Sequence, residues 1–464
     1  MLGNILIKIG EIYMFENDKI FILGFARSGY EAAKLLAKRG NKVILNDMKI
    51  EQDEEKIKEL EGLGVEIILG SHPDDILDET FNYLIKNPGV PIDHKYVLKA
   101  RDLGIDVINE VEMAYRLMPK DVTLIGITGT NGKTTTTTLI YEMISKSNKR
   151  VHLTGNIGYP LCGFLEKLEK DDIIVMETSC QQLENLSEFN PDIAIMTNLS
   201  EAHIDFLKTY ENYKRVKTKI FQNHTKDNVA ILNIENDDVL MSTKNIKSTV
   251  KYFSSKNEIN GSYIKNDAIY YYDEKIIELS DIKLVGMHNY ENIMAAIMAV
   301  KELKIDNKCI IEVLKTFTGV EHRLEFVREY NNRLFYNDSK ATNIKSTQIA
   351  LSSFDKPTII LLGGMERNQD FGELTSFMKN VKNIVCYGEN KNRIKEFGEN
   401  LKIETIMVNT VVEAVDEAYK LSSEGDVILL SPASASWDQY KCFEDRGIEY
   451  KNHVLNLGEE NENN

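Results

Sequence analysis

The sequence predicts an α/β protein of three successive units. Three observations predict it. Apolar runs of strand length alternate with helix-length amphipathic or alanine-rich runs along the chain. Polar and ionisable residues recur just after the apolar runs, at the carboxyl edge where open parallel sheets bind ligands. A glycine-rich stretch at 126–132 lies between a strand-like and a helix-like run, the setting of a phosphate-binding loop.

That stretch organises the rest. The apolar run 122–127 leads through Gly126, Gly129 and Gly132 to Lys133, Thr134 and Thr135, and a helix is expected over 136–145. Small residues let backbone N–H groups close around phosphate oxygens, and a helix N-terminus adds partial positive charge. Lys133 would reach the terminal phosphates and the Thr134 hydroxyl a magnesium ion. The pattern G-x-x-x-x-G-K-[ST] would need glycine at 127, where Ile127 stands. An ordinary glycine turn followed by a solvated lysine is the bland alternative. The coincidence of turn, lysine and threonine-rich helix start favours the phosphate loop.

Composition bounds the function. A chain of 464 residues accommodates two to four domains. Its 42% hydrophobic and 28% charged residues suit a soluble globular protein. A net charge of −16 argues against a nucleic-acid or anionic-membrane surface but allows a small anionic substrate. The cysteines at 162, 180, 309, 386 and 442 form no C-x-x-C pair, which suits a reducing cytosol. No run approaches the ~20 apolar residues of a membrane span. Residues 1–15 carry Lys8 and Glu11 and lack a signal-type core. A cytoplasmic protein with no membrane span is therefore expected; a monomer is expected as well, though no residue pattern specifies it. The asparagine-rich end from Gly458 is expected to fray.

The first unit, 1–119, opens with a strand at 19–23, a turn from Gly24 to Gly29, a helix at 30–39 and a strand at 42–45 ending in Asn46-Asp47. This is a Rossmann-like βαβ pattern with an acidic residue after its second strand. Ala26 replaces the middle glycine that a dinucleotide pyrophosphate needs. A nucleotide-diphosphate pocket and a purely structural turn both remain. Strands at 65–69, 83–86 and 105–108 follow, the second ending in Asn87-Pro88-Gly89, then a helix at 110–117. The segment 118–121 reads as a linker.

The second unit, 120–319, is P-loop-ATPase-like. Its strands end in Gly155-Asn156-Ile157-Gly158, in Glu177-Thr178-Ser179, and in a run from Thr197 to His203. A glutamate and a histidine beside a phosphate loop suggest metal ligation or phosphate positioning. Taken singly, His203 would more often be a satisfied core or surface histidine. An expected helix at 213–222 carries Lys214, Arg215, Lys217 and Lys219, either as a solvated basic face or with one lysine turned inward. The region 250–284 alternates like short antiparallel strands. His288-Asn289 then opens a long helix at 290–302 whose methionines read as core.

The third unit, 320–464, is again α/β. Its strands run into Asn337 to Asn343, Gly363-Gly364, Gly388, and Ser431 to Trp437. Trp437, the single tryptophan, either packs or walls a pocket.

The T-G-T-N-G-K-T-T run at 128–135, Gly155 to Gly158, Glu177 to Gln182, Asn198 to His203, His288-Asn289 and Asn337 to Asn343 occur in the order found in the Mur ligases, and the chain resembles that family from about Lys19 onward. The Asp338 to Asn343 run, Ser431 to Ser436 and Phe443 to Gly447 resemble its D-glutamate-adding branch. The resemblance implies an ATP-dependent ligase of peptidoglycan precursor synthesis, and so of cell-wall biogenesis, cell shape and division. It would join D-glutamate to UDP-N-acetylmuramoyl-L-alanine through an acyl phosphate, with magnesium at two sites. It also implies a UDP-sugar-binding first unit, an ATPase second unit, a Rossmann-like third unit, and residue roles. Gly129, Thr130, Asn131, Gly132, Lys133, Thr134 and Thr135 would hold ATP phosphates, with Asn289, Arg323 and Asp338 on adenine and ribose. Thr134, Glu177, His203 and a carbamylated Lys217 would hold metal; Lys133, His203, Lys217 and Lys340 would serve catalysis. Arg27, Ser28, Asp47, Asn87 and Gly89 would hold the uridine diphosphate, and Asn156, Ser179 and Gln182 the muramoyl-peptide end. Thr342, Arg367, Ser436 and Phe443 would bind D-glutamate. Arg367 stands where a lysine is common, and Cys180-Gln181 where Ser-Phe is usual.

Three other readings compete. A sister Mur or folylpolyglutamate-type ligase would add another amino acid. A nicotinamide-dependent oxidoreductase would use the first βαβ unit, but would need no phosphate loop. A non-catalytic nucleotide-binding scaffold would release no ADP.

Overall fold

In the computed structural model the residues described are 14–201, 207–284 and 286–458. They form an α/β protein with three sheets. The first contains β1 (Lys19–Leu23), β2 (Lys42–Asp47), β3 (Glu66–Leu69), β4 (Tyr83–Lys86) and β5 (Asp106–Ile108), all parallel in the order β3-β2-β1-β4-β5. The chain steps to opposite sides of β1, so the loops after β1 and β4 flank a topological switch point, where open sheets bind ligands.

The second sheet has nine strands: β6 (Thr123–Thr128), β7 (Val151–Gly155), β8 (Ile173–Glu177), β9 (Ile193–Met196), β10 (Val229–Asn233), β11 (Thr249–Ser254), β12 (Gly261–Lys265), β13 (Ala268–Tyr271) and β14 (Glu274–Glu278). Their order is β14-β13-β12-β11-β10-β9-β6-β8-β7. β6 is an interior strand, apolar on both faces, and β8 and β9 flank it in parallel register. The expectation of antiparallel strands across 250–284 holds only for β12 to β14, because β11 and β12 still pair in parallel. The helix Asp237–Thr243 supplies the crossover that parallel pairing of β10 with β11 requires.

The third sheet comprises β15 (Glu325–Tyr330), β16 (Arg333–Asn337), β17 (Thr358–Gly363), β18 (Val381–Tyr387), β19 (Glu404–Met407) and β20 (Val427–Leu430), in the order β15-β16-β20-β17-β18-β19. Only the β15–β16 pair is antiparallel.

By packing, the chain divides into two compact units, one ending at Thr316 and one beginning at Phe317. The first holds two sheets joined by one core, in which Leu36 and Val111 belong to the same cluster as Leu161, Met176 and Met196. The second has a core on each face of its sheet, around Ile360 and Leu429 on one side and Leu361 and Val415 on the other.

Several elements begin earlier than periodicity suggests. The helix Arg27–Lys38 starts three residues before the expected position, which puts Arg27 and Ser28 in its first turn. The helix after the glycine loop is Lys133–Ser145 and includes Lys133 itself. The basic helix is Tyr210–Thr218, followed by a 3-10 turn at Lys219–Phe221. Among the described residues no helix is long and apolar enough to cross a membrane.

Candidate active site

The site begins where β6 ends. Gly129 has φ +144° and Gly132 φ +79°, values that favour glycine. Space demands glycine too. A Cβ on Gly129 would lie 2.0 Å from the Thr197 Oγ1, and one on Gly132 2.1 Å from the Asn292 Oδ1. The same neighbours brace the loop. The Thr197 hydroxyl donates to the Asn131 carbonyl at 2.6 Å, and the Asn131 N–H donates to the Asn198 Oδ1 at 2.9 Å. The Thr130 hydroxyl reaches the Ser200 carbonyl at 3.1 Å and the Tyr213 hydroxyl at 3.0 Å. The loop is thus held open-armed by side chains from β9's end and the helix Tyr210–Thr218, with its helix N-terminus directed at the site.

Two lysines converge on it. Lys133 Nζ donates to the carbonyls of Gly129 at 3.0 Å and Thr130 at 2.8 Å. Lys217 Nζ donates to the Thr128 hydroxyl at 3.0 Å and to the same Gly129 carbonyl at 2.9 Å. Lys217 is buried, and burial, reinforced by the nearby Lys133 charge, pushes its ammonium down to about 7. The helix geometry separates this lysine from its neighbours. Lys214 pairs with Asp238 at 3.3 Å and Lys219 donates to the Glu184 carbonyl at 2.6 Å, while Arg215 bonds Asn212. Only Lys217 of the four projects beneath the loop.

Facing them at the end of β8 is Glu177, also buried. Its Oε1 accepts from Asn156 Nδ2 at 2.8 Å, and among the described residues its buried Oε2 has no hydrogen-bond partner. An unsatisfied buried carboxylate oxygen is costly unless a cation or donor completes it. With the hard oxygen donors of Glu177 and Thr134, the residues present fit a magnesium ion. The proposed fourth member, His203, lies outside the described residues. Among the described residues no group of three or more His, Cys, Asp or Glu side chains is gathered as a metal cluster.

A cavity of about 580 Å³, large enough for a sizeable polar ligand, connects these groups to the first sheet. Lys133, Lys217, Asn156, Ser179 and Gln182 line one side; Arg27, Ser28, Asn87 and Gly89 line the other. Asn87 ties the two first-sheet loops together: its Nδ2 donates to the Ser28 hydroxyl at 3.0 Å and its Oδ1 accepts from the Gly89 N–H at 3.0 Å. Ser179 and Gln182 form a reciprocal capping box on the short helix Cys180–Leu183, so their orientation is set by local structure. Asp47 does not line this cavity; its carboxylate accepts from the N–H groups of Phe25 at 2.7 Å and Lys49 at 2.8 Å, holding the first loop in shape.

The second unit carries its own constellation. Arg323, Asp338 and Lys340 line a cavity of about 170 Å³. Asp338 is buried, accepts from the Ser431 hydroxyl at 2.8 Å and the Leu324 N–H at 3.2 Å, and is pushed up to about 7 by burial. Lys340 Nζ lies 5.8 Å from the Phe443 ring centre, and Arg367 stacks 4.5 Å from the ring of the exposed Trp437. Thr342 is half-buried, and among the described residues the buried Ser436 hydroxyl has no hydrogen-bond partner. Asn289 belongs to the first unit, in the helix Met287–Glu302, one turn before Asn292.

Sequence reasoning passed over three contributors. Asn292 and Tyr213 brace the loop from distant elements and carry no local motif. Arg446 lies within the 443–447 run but drew no separate attention. It is wholly buried and donates to the Ser339 hydroxyl and carbonyl at 3.0 and 2.8 Å, to the Gly363 carbonyl at 3.4 Å and to the Ser434 carbonyl at 3.1 Å. One side chain thus joins three loops at the carboxyl edge of the third sheet.

A braced glycine loop on an interior parallel strand, with paired lysines drawn to its carbonyls, defines an α/β protein of the phosphate-loop class. The model of the Mur ligase middle domain matches residues 127–300, and that of the Mur ligase glutamate ligase domain matches residues 322–434. Two relatives named UDP-N-acetylmuramoylalanine–D-glutamate ligase are similar over nearly their full length. That of Geobacillus sp. (strain WCH70) is 44% identical over 436 residues, 93% of this chain and 96% of the relative. That of Bacillus cereus (strain AH187) is 43% identical over 435 residues, with the same coverage of 93% and 96%. The chain belongs to the Mur ligase family. Solved structures share the fold at low identity. The UDP-N-acetylmuramate-alanine ligase MurC from Thermotoga maritima superposes with a TM-score of 0.57 at 19% identity, covering 94% of this chain and 99% of that one. The MurF ligase from Thermotoga maritima, solved in complex with ADP, gives 0.54 at 15% identity, covering 94% and 98%.

Proposed function

We propose that this chain joins D-glutamate to the L-alanyl carboxylate of UDP-N-acetylmuramoyl-L-alanine, at the expense of ATP, in peptidoglycan precursor synthesis. The observation that carries the reading is the cavity joining the braced loop, Lys133 and Lys217 to the Arg27–Ser28 and Asn87–Gly89 loops of the first sheet. The names of the relatives at 43–44% identity support the choice of amino acid.

A carboxylate acylates poorly because its leaving group would be oxide. ATP supplies a phosphoryl group that turns that oxygen into a leaving group, as an acyl phosphate. The amine of D-glutamate then attacks the carbonyl carbon, and phosphate departs with one former carboxylate oxygen. The protein's contribution is placement and charge neutralisation. In this reading Gly129 to Thr135 cradle the phosphates and Lys133 swings from the Gly129 and Thr130 carbonyls to the terminal phosphate. Magnesium would be held by Thr134, Glu177, His203 and Lys217, and would neutralise charge on the transferring group. An amine with a value near 7 is substantially neutral at physiological pH, the form that carbon dioxide can carbamylate. Lys217 thereby has a route to becoming an oxygen ligand. Arg27, Ser28, Asp47, Asn87 and Gly89 serve the uridine diphosphate, Asp47 indirectly through the loop. Asn156, Ser179 and Gln182 serve the muramoyl-peptide end. Asn289, Arg323 and Asp338 serve the nucleoside of ATP, Lys340 its phosphates, and Thr342, Arg367, Ser436 and Phe443 the incoming D-glutamate. Functional domains at 1–119, 120–319 and 320–464 accompany this reading, in a cytoplasmic monomer.

The test is ADP release measured with UDP-N-acetylmuramoyl-L-alanine and a panel of amino acids. D-glutamate alone should support turnover. Equal turnover with L-alanine or a diamino acid would assign a sister ligase instead, and ADP release without any amino acid would remove the ligase reading.

A further inference from the structure

Lys86 closes β4, between the apolar core of the first sheet and the Asn87–Val90 turn, and its side chain is fully buried. A buried ammonium is costly unless paired. No carboxylate forms an ion pair with it among the described residues. Its Nζ donates instead to the carbonyls of Val90 at 2.9 Å and Asn87 at 3.4 Å, the two ends of the turn. The turn's own hydrogen bond, from the Val90 N–H to the Asn87 carbonyl, spans the same two residues at 2.9 Å. From this clamped turn Asn87, Pro88 and Gly89 face the cavity, and Asn87 fixes Ser28 on the opposite loop. Close packing makes the pair of loops one piece: a Cβ on Gly24, at φ +107°, would lie 2.8 Å from that of Asn87.

We propose that Lys86 is a positioning residue for the sugar nucleotide, clamping the Asn87–Val90 turn from below and placing a buried positive charge behind the loop that receives the diphosphate. The inference rests on the proposed function and goes beyond it, because Lys86 itself touches no substrate. Anion binding in front of the turn adds to the longer-range attraction of Glu184 for a charge that, among the described residues, has no carboxylate in contact. The same geometry explains why lysine stands at a strand end whose neighbours Leu84 and Ile85 are core residues. Burial pushes the ammonium down to about 8, with Glu184 opposing that shift and Arg101 adding to it. The charge is therefore present below about pH 8 and fades above it.

The experiment measures KM for UDP-N-acetylmuramoyl-L-alanine, ATP and D-glutamate, with kcat, for the wild type and Lys86→Met from pH 7 to 9.5. At pH 7 the variant should raise KM for the sugar nucleotide by about tenfold to a hundredfold, the range for losing charged hydrogen bonds. The other two KM values and kcat at saturation should change by less than about twofold. Wild-type affinity for the sugar nucleotide should weaken as pH rises past about 8, and the variant's profile should lack that limb. An unchanged KM, or an equal rise in all three, overturns the clamp. A purely packing role would shift thermal stability without altering the pH profile. Should Lys86→Met fail to fold, the wild-type profile decides: a KM flat from pH 7 to 9.5 overturns the inference. A wild type that does not use the sugar nucleotide at all refutes the proposed function, whereas normal use by both proteins refutes only the role of Lys86.

Discussion

Replacing Lys217 with methionine should make the protein more stable and inactive at once. The side chain is 1% exposed and its ammonium is pushed from 10.5 down to about 7. At about 1.4 kcal/mol for each factor of ten, holding it there costs the folded state ~5 kcal/mol at neutral pH. Removing it forfeits hydrogen bonds to the Thr128 hydroxyl and the Gly129 carbonyl, each contributing about 1 kcal/mol. Neither partner is orphaned: Thr128 still donates to the Thr178 carbonyl at 2.9 Å, and Gly129 still accepts from Lys133 at 3.0 Å. The net gain is about 2–4 kcal/mol. Its pH dependence has a definite sign. Between about 7 and 10.5 the unfolded chain binds the proton that the folded chain has released, so wild-type stability rises with pH there. The variant's advantage is therefore full at and below pH 7 and fades towards 10.5. Urea denaturation followed by circular dichroism, in bicarbonate-free buffer, measures it; the single tryptophan, Trp437, lies in the other unit and would report the wrong transition. A variant less stable than the wild type at pH 7, or two parallel pH curves, would show that burial does not depress the Lys217 ammonium.

Four further outcomes are expected. Lys133→Ala should abolish ADP release, by at least about a thousandfold, while the circular-dichroism spectrum stays unchanged; normal turnover would remove the phosphate-loop assignment. Gly132→Ala places a Cβ 2.1 Å from the Asn292 Oδ1 at φ +79° and should lower kcat/KM for ATP at least about tenfold, with partial recovery on adding Asn292→Ser. Asp338→Asn keeps an acceptor for the Leu324 N–H, turns its amide nitrogen to the Ser431 hydroxyl as a donor, and removes a carboxylate held near 7, so it should gain about 2–4 kcal/mol at pH 7. Because that carboxyl is raised in the folded state, wild-type stability should fall between about pH 4 and pH 7 relative to the variant, and identical pH–stability curves would contradict the assignment. Arg446→Met should destabilise the protein by about 3–5 kcal/mol and raise KM for D-glutamate, since the Ser339, Gly363 and Ser434 carbonyls lose their donor together.

The phosphate loop was legible because its chemistry is local: the glycines, Lys133 and the threonines are adjacent in sequence and their roles follow from backbone geometry. The alternation of strands and helices was legible for the same reason. Orientation was not. Lys214, Arg215, Lys217 and Lys219 are all cationic, and only the tertiary placement of their helix, which brings Lys217 to Thr128 and Gly129, selects Lys217. Gly132 is required by Asn292, whose place beside it depends on a helix that begins more than 150 residues later. Asp47 reads as a ligand contact, yet its observed bonds are to backbone groups that shape the site, and Ser179 and Gln182 both line the cavity and cap a short helix. The parallel pairing of β11 with β12 was missed because alternation along a strand records which face is buried and is silent on the direction of the neighbour.

The account stands most directly on the fate of one oxygen atom. With both carboxylate oxygens of UDP-N-acetylmuramoyl-L-alanine labelled with oxygen-18, turnover with ATP and D-glutamate should deliver one labelled oxygen to each phosphate released and leave ADP unlabelled. Product formation with unlabelled phosphate would contradict activation of the carboxylate by phosphoryl transfer.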